Sequence, residues 1–91
     1  MNFEWDDEKN FANFKKHQVW FEEARTAWAD PGAIEFLDDD HSETEDRYIR
    51  IGYSTGNRIL MAVFCERDLG STIRIISART ATPKECRDYE E

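Results

Sequence analysis

Apolar residues along this 91-residue chain change their period once. From Asp7 to Trp28 they recur at helical spacing, and from Ala33 to Ala78 they mostly alternate. Ahead of the helical part, Phe3 and Trp5 flank Glu4 in a minimal alternation that predicts a short first strand. Asp6 is a good N-cap for a helix over Asp7 to Lys16. Its first turn is acidic and its end carries Lys15, Lys16 and then His17, the order that the helix dipole favours. Phe11 and Phe14 give it an apolar stripe expected to face the core. A second helix places Phe21, Ala24, Ala27 and Trp28 on one side, and Asp30-Pro31-Gly32 stops it.

Ala33 to Leu37 predicts a short strand, and Asp38 to Asp46 one long polar loop. Arg47 to Tyr53 predicts the next strand, with Ile49 and Ile51 on the core face beside Arg47 and Tyr53, and Tyr48 and Arg50 opposite. Thr55-Gly56-Asn57 is a hairpin turn. Arg58 to Glu66, continuously apolar from Ile59 to Cys65, reads as a central strand buried on both faces. After the turn from Arg67 to Gly70, a strand begins with Ile73, Ile75 and Ser77 on one face and Arg74, Ile76 and Ala78 on the other. Thr82 then occupies an N-cap position, with Pro83 at the first helical position and Glu85 completing a capping box. The order β-α-α-β-β-β-β-α predicts a single α+β domain over residues 1–91. Its expected core is a small antiparallel sheet of four to five strands, with two N-terminal helices and one C-terminal helix.

Composition supports a folded chain, with 13% aromatic and 40% apolar residues, while 35% charged residues predict a wet surface. No apolar run approaches the roughly 18 residues of a membrane span, and the acidic start MNFEWDDEKN is unlike a signal peptide, so a cytoplasmic protein is expected. Cys65 and Cys86 have neither zinc-site spacing nor the density of a disulfide scaffold, and are expected to be reduced thiols. The net charge of −8 hides an asymmetry. Through Asp46 the chain has four Lys/Arg against fourteen Asp/Glu; from Arg47 onward it has eight against six, and seven of those eight cations are arginine. An acidic protein is a poor nucleic-acid binder unless its cations are segregated, as they are here. Arginine is also the side chain whose planar fork suits phosphate. Against this stands the plain possibility that arginines on a sheet pair with neighbouring carboxylates on a solvated face.

The cations concentrate at the end of the chain. A strand carrying Arg74 and Arg79 leads to a helix bearing Arg87 and Tyr89. Lys16 and His17 at the end of the first helix either face a site or merely complement its dipole. The six acidic groups that share the polar loop with His41 invite a metal site, but contiguous aspartates without a turn glycine are not a calcium-loop pattern, and no metal ligand set is assigned. The chain carries no glycine-rich phosphate loop, GxSxG, HExxH or CxxC, so no cofactor is expected.

The opening FEWDDEKNFANFKKH, FEEA at 21–24, DDDHSETEDRYIRIGYS at 38–54 and, above all, IRIISARTATPKECRDYEE at 73–91 resemble the BrnT family of bacterial toxins. The likeness covers nearly the whole chain. It implies a RelE-like, microbial-ribonuclease-like fold and an endoribonuclease toxin of a type II toxin–antitoxin pair, acting without a metal. It also implies a BrnA-like antitoxin that neutralises the toxin, carries the contact with operator DNA and can assemble with it as a heterotetramer. Three positions depart from the family pattern. Trp20 stands where a small polar cap is common, Gln18 where glycine is frequent, and Cys86 where arginine is usual, which removes one cation from the implied site.

With RNA as the implied substrate, cleavage needs a base for a ribose 2′-hydroxyl, an acid for the departing 5′-oxygen and positive charge around phosphorus. Arg74 and Arg79 are the expected phosphate clamp, with Arg67, Arg47 and Arg87 as further substrate-binding cations. Tyr89 is expected to donate a proton or stack a base, unless it simply packs the last helix. His17 is the expected base, since histidine titrates near neutrality, with Lys16 and Glu45 as substitutes. Two other functions fit the same residues: an inactive antitoxin-binding module acting in operon repression, and a structural domain without a partner.

Overall fold

The computed structural model describes residues 1–41 and 44–91; Ser42 and Glu43 of the expected polar loop lie outside the described residues. The elements are β1 (Asn2–Glu4), α1 (Asp7–His17), α2 (Phe21–Arg25), β2 (Ile34–Leu37), β3 (Tyr48–Tyr53), β4 (Ile59–Arg67), β5 (Thr72–Thr80) and α3 (Pro83–Glu90). Short 3-10 turns cover Thr26–Ala29, Asp39–His41 and Asp68–Gly70. The predicted α+β class and element order hold. The sheet runs β1-β5-β4-β3-β2, antiparallel throughout except that β1 lies parallel to β5, so it is mixed rather than wholly antiparallel.

The continuously apolar β4 is indeed the central strand. On one face, Leu60, Ala62, Phe64, Ile73, Ile75 and Ala78 pack with Val19, Phe21 and Ala24 from the helical segment. Tyr48 stacks on Phe64, and Arg50 lies over the Trp28 ring at 5.2 Å while its Nε donates to the Ala27 carbonyl. Tyr48 and Arg50 therefore face the helices, and the expected core side of β3 is reversed. The reason is that both sheet faces are covered in part. Ile51 is fully buried on the second face, where α3 packs beside β3.

The alternation in β5 is also broken. Phe64 pairs with Ile75 and Val63 with Ser77, leaving Ile76 as an extra residue in a β-bulge. Beyond it, Ala78 joins Ile73 and Ile75 in the core instead of facing away. A strict period of two puts Arg74 and Arg79 on opposite faces, because they are five positions apart. The bulge brings them to the same face, where Arg74 pairs across from Cys65 and Arg79 across from Met61.

The helix α1 differs from expectation in which side it buries. Asp6 caps it as predicted, its carboxylate accepting from the Glu8 and Lys9 amides. Yet its buried residues are Asn10 and Asn13, and Phe11 is 63% exposed. The cause lies in β1, which ends at Glu4 opposite Arg74 and leaves the rest of β5 without a strand neighbour on that side. The side chain of Asn13 fills the gap at Ala78. Asn10 joins α1 to α2: its Oδ1 accepts from the Phe21 amide at 2.8 Å and its Nδ2 donates to Glu22. Trp20, which has no capping oxygen, is thus relieved by Asn10 from the neighbouring helix. Gln18 ends α1 in the left-handed region at φ 61°, the conformation that glycine adopts at least cost.

Candidate active site

The face of the sheet away from α1 and α2 holds an open hollow of about 320 Å³. Ile49, Met61 and Val63 line it from neighbouring strands, and Arg47, Ser77, Arg79, Asp38 and His41 surround them. Arg79 and Ser77 face it only because of the bulge. Arg47 comes from the segment leading into β3, whose carbonyl accepts from the Asp38 amide at 2.8 Å. The Asp39–His41 turn folds the histidine back, so that His41 Nδ1 lies 3.0 Å from an Asp38 carboxylate oxygen.

Arg79 is held rather than loose. Its Nη1 and Nη2 donate to the two carboxylate oxygens of Glu85 at 2.8 and 3.0 Å, and Nη1 also reaches the Thr80 carbonyl. Glu85 simultaneously accepts from the Thr82 amide, while Thr82 Oγ1 accepts from the Glu85 amide, so the predicted capping box also anchors the arginine. The bonds from Arg79 hold the Glu85 carboxyl below its ordinary range. Bidentate pairing of this kind fixes a guanidinium in plane.

Of the other expected cations, Arg67 and Arg74 stand on the same face of the sheet as the hollow. Arg74 pairs with Glu4 at 2.6 Å, directly across β1 and β5, and does not line the hollow. Arg67 pairs with Glu45 at 3.3 Å, and a Glu45 oxygen lies 3.6 Å from Cys65 Sγ. Burial first, and Glu45 second, push the Cys65 thiol up. Arg87 is exposed on α3, and Cys86 is half-buried one turn from the capping box. The structure does not bring Lys16 and His17 to the hollow; they remain at the end of α1.

Tyr89 has a defined partner elsewhere. Its hydroxyl donates to Asp30 Oδ2 at 2.7 Å, and the same oxygen accepts from the Tyr53 amide at 2.8 Å, while Oδ1 accepts from the Gly32 amide. The Tyr53 amide first, and Tyr89 second, hold the Asp30 carboxyl below its ordinary value. The same contact raises the Tyr89 phenol. Sequence reasoning missed Ser77, Glu85, Asp38 and His41 as a group around Arg79. The only available signal for the last two was a histidine within the acidic loop. Among the described residues, no three His, Cys, Asp or Glu side chains gather where they could share a metal ion.

The fold is a small α+β domain with an arginine-lined hollow on its open sheet face. The family model described as "Ribonuclease toxin, BrnT, of type II toxin-antitoxin system" matches residues 5–85. The chain belongs to the BrnT family. It is also similar in structure to the Brucella abortus ribonuclease toxin BrnT, known from a crystal structure, with a TM-score of 0.68 and 25% identity over 90% of this chain and 97% of that one. A comparison with curated protein sequences returns no match. No helix among the described residues is long and apolar enough to cross a membrane.

Proposed function

We propose that this chain is an endoribonuclease toxin that cuts RNA in the hollow between Arg47, Arg79 and His41. The observation that carries the reading is the meeting of two arginines with an Asp–His pair on one open sheet face. Arg79, oriented by Glu85, and Arg47 hold the phosphate and offset the negative charge that gathers on its oxygens. His41, oriented through Nδ1 by Asp38, uses its other nitrogen to take the proton of the ribose 2′-hydroxyl. The 2′-oxygen then bonds to phosphorus, the bond to the 5′-oxygen breaks, and a proton from a donor or water completes the 5′-hydroxyl. The products are a 2′,3′-cyclic phosphate and a free 5′-end, and no metal takes part. Arg74, Arg67 and Arg87 extend the cationic track for flanking phosphates. His17, Lys16 and Glu45 are outlying groups in this reading, and Tyr89 positions α3 rather than donating the proton.

The toxin acts in the cytoplasm and is neutralised by a BrnA-like antitoxin, through which alone the complex contacts operator DNA. One observation favours a second reading, a weak or inactive antitoxin-binding module. Arg74 and Arg79 are already paired with Glu4 and Glu85. Cleavage of purified RNA by the isolated toxin, with and without EDTA, separates the two. The nuclease reading expects cleavage in both conditions, with losses of about 100- to 1,000-fold for Arg79→Ala and about 100- to 10,000-fold for His41→Ala. No cleavage by wild type, or full activity in both folded variants, overturns it.

A further inference from the structure

Phe14 and Trp20 stack face to face with centroids 4.1 Å apart, and Phe11 meets Trp20 edge-on at 5.5 Å. The three rings form a ridge on the outer side of α1. Phe11 is exposed and Phe14 and Trp20 are half-buried, because α1 turns two asparagines inward instead of its aromatic stripe. A shallow groove of about 410 Å³ begins at Phe11 and is walled by Asp7, Glu8 and Lys15. A second, of about 490 Å³, begins at Trp20 beside Glu22 and Glu23. Glu23 is matched by Arg58, but Asp7, Glu8 and Glu22 outnumber Lys15 around the rings. Aromatic side chains in grooves with a mainly acidic rim are the composition of a protein-binding surface.

The charge selects the occupant. A second copy docking symmetrically through the same ridge brings the acidic half of a chain of net charge −8, so that contact sets like charges together. RNA and an anionic membrane meet the same repulsion. We infer that this ridge docks the antitoxin, through a segment that presents apolar side chains flanked by lysine or arginine. The inference rests on the family's type II partnership and not on the proposed chemistry, since the rings belong to the helical side of the sheet and the hollow to the other.

The test is calorimetric titration of the toxin with antitoxin purified from their complex. Phe11→Asp places a charge at an exposed position and is expected to leave the fold intact, while Phe11→Ser with Trp20→Ser removes two rings and gives α2 a capping residue that offsets part of the lost packing, each variant being compared only once circular dichroism shows it folded. Each variant is expected to weaken antitoxin binding about 30-fold or more, with RNA cleavage by the isolated toxin unchanged. Asp7→Asn with Glu8→Gln is expected to slow association and reduce its salt dependence. Unaltered antitoxin affinity in either ring variant overturns the inference. So does a change from dimer to monomer of the isolated toxin with affinity unchanged, which assigns the ridge to a second copy. Loss of cleavage in wild type leaves the binding result decisive, so the two readings fail separately.

Discussion

Asn13 acts as a strand partner for Ala78. Its Nδ2 donates to the Ala78 carbonyl at 2.8 Å and its Oδ1 accepts from the Ala78 amide at 3.1 Å, so a side-chain amide pairs with β5 as a backbone peptide would. Both groups are buried, and the same Nδ2 also donates to the Val19 carbonyl at 2.8 Å. The contact joins residues 65 positions apart and closes the edge that β1 leaves open.

Replacing that amide is therefore expected to be costly. Asn13→Ala leaves three buried backbone groups without their partner, and unsatisfied buried groups cost about 1–3 kcal/mol each when they cannot reach water. Water entering the space left by the amide lowers the total to about 2–4 kcal/mol. Urea unfolding should show this as a lower midpoint with little change in slope. Asn13→Asp keeps the acceptor for the Ala78 amide but loses both donations, and should fall at least as far because it buries a charge.

How the fold was legible follows from the same residues. Capping signals, the turn at Asp30-Pro31-Gly32 and the apolar run of β4 are local, and each produced the element it predicted. The inward turn of Asn10 and Asn13 was not readable, because an amphipathic stripe of phenylalanines is the stronger local pattern and the open edge of β5 exists only in the assembled sheet. The bulge at Ile76 was hidden for a similar reason: nothing in ISAR distinguishes an extra residue from continued alternation. Arg79 was found from its type and place, but its company in the hollow depends on the bulge and on a loop folding back. That is why Ser77 escaped notice and the acidic loop with its histidine was weighed only as a metal site.

Acid should destabilise the protein through three carboxylates. Glu23 accepts from Arg58 Nε and Nη2 at 2.8 and 2.6 Å and from Ser54 at 2.7 Å, and these bonds hold its carboxyl below the ordinary range. Asp30 and Glu85 are lowered as well. A carboxyl lowered in the folded state contributes stability that is fully present above its unfolded pKa, about 4 for these side-chain types, and is lost as pH falls through the lower folded value. Stability should thus be level above about pH 5.5 and fall steadily below pH 4. Glu23→Gln should cost about 1 kcal/mol at neutral pH, a modest figure because Arg58 is a third exposed and water screens the pair. It should also make the acid slope shallower, which unfolding midpoints measured from pH 3 to pH 7 would show.

The two cysteines should differ in reactivity although both are free thiols. Cys65 is buried on the central strand, and its raised pKa keeps it in the unreactive protonated form. Cys86 is half-buried on α3 and accessible in part. A native protein treated with an aromatic disulfide reagent at pH 8 is expected to release one equivalent quickly, and the second only on denaturation. Rapid release of both would show that the β4 end of the sheet opens readily.

Tyr89 offers the clearest separation of a structural from a chemical role. Its hydroxyl is engaged by Asp30, which also receives the Tyr53 and Gly32 amides, so α3, the end of β3 and the turn before β2 meet at one carboxylate. Removing the hydroxyl in Tyr89→Phe should raise the Asp30 carboxyl pKa part of the way to its ordinary value, since the Tyr53 amide remains its main stabiliser. The phenol is raised by the same contact, which means that its share of stability is present below the unfolded tyrosine pKa, about 10, and disappears as pH rises through the higher folded value. Wild type should therefore lose stability above that range, and Tyr89→Phe should lose less. Carbon-detected NMR titration of Asp30 checks the first expectation, and unfolding midpoints between pH 8 and pH 11 check the second. RNA cleavage by Tyr89→Phe should stay within about threefold of wild type, whereas loss of a proton donor would cost about 100-fold or more. A loss of the larger size with the Asp30 titration unmoved would place the phenol in the chemistry and not in the lock.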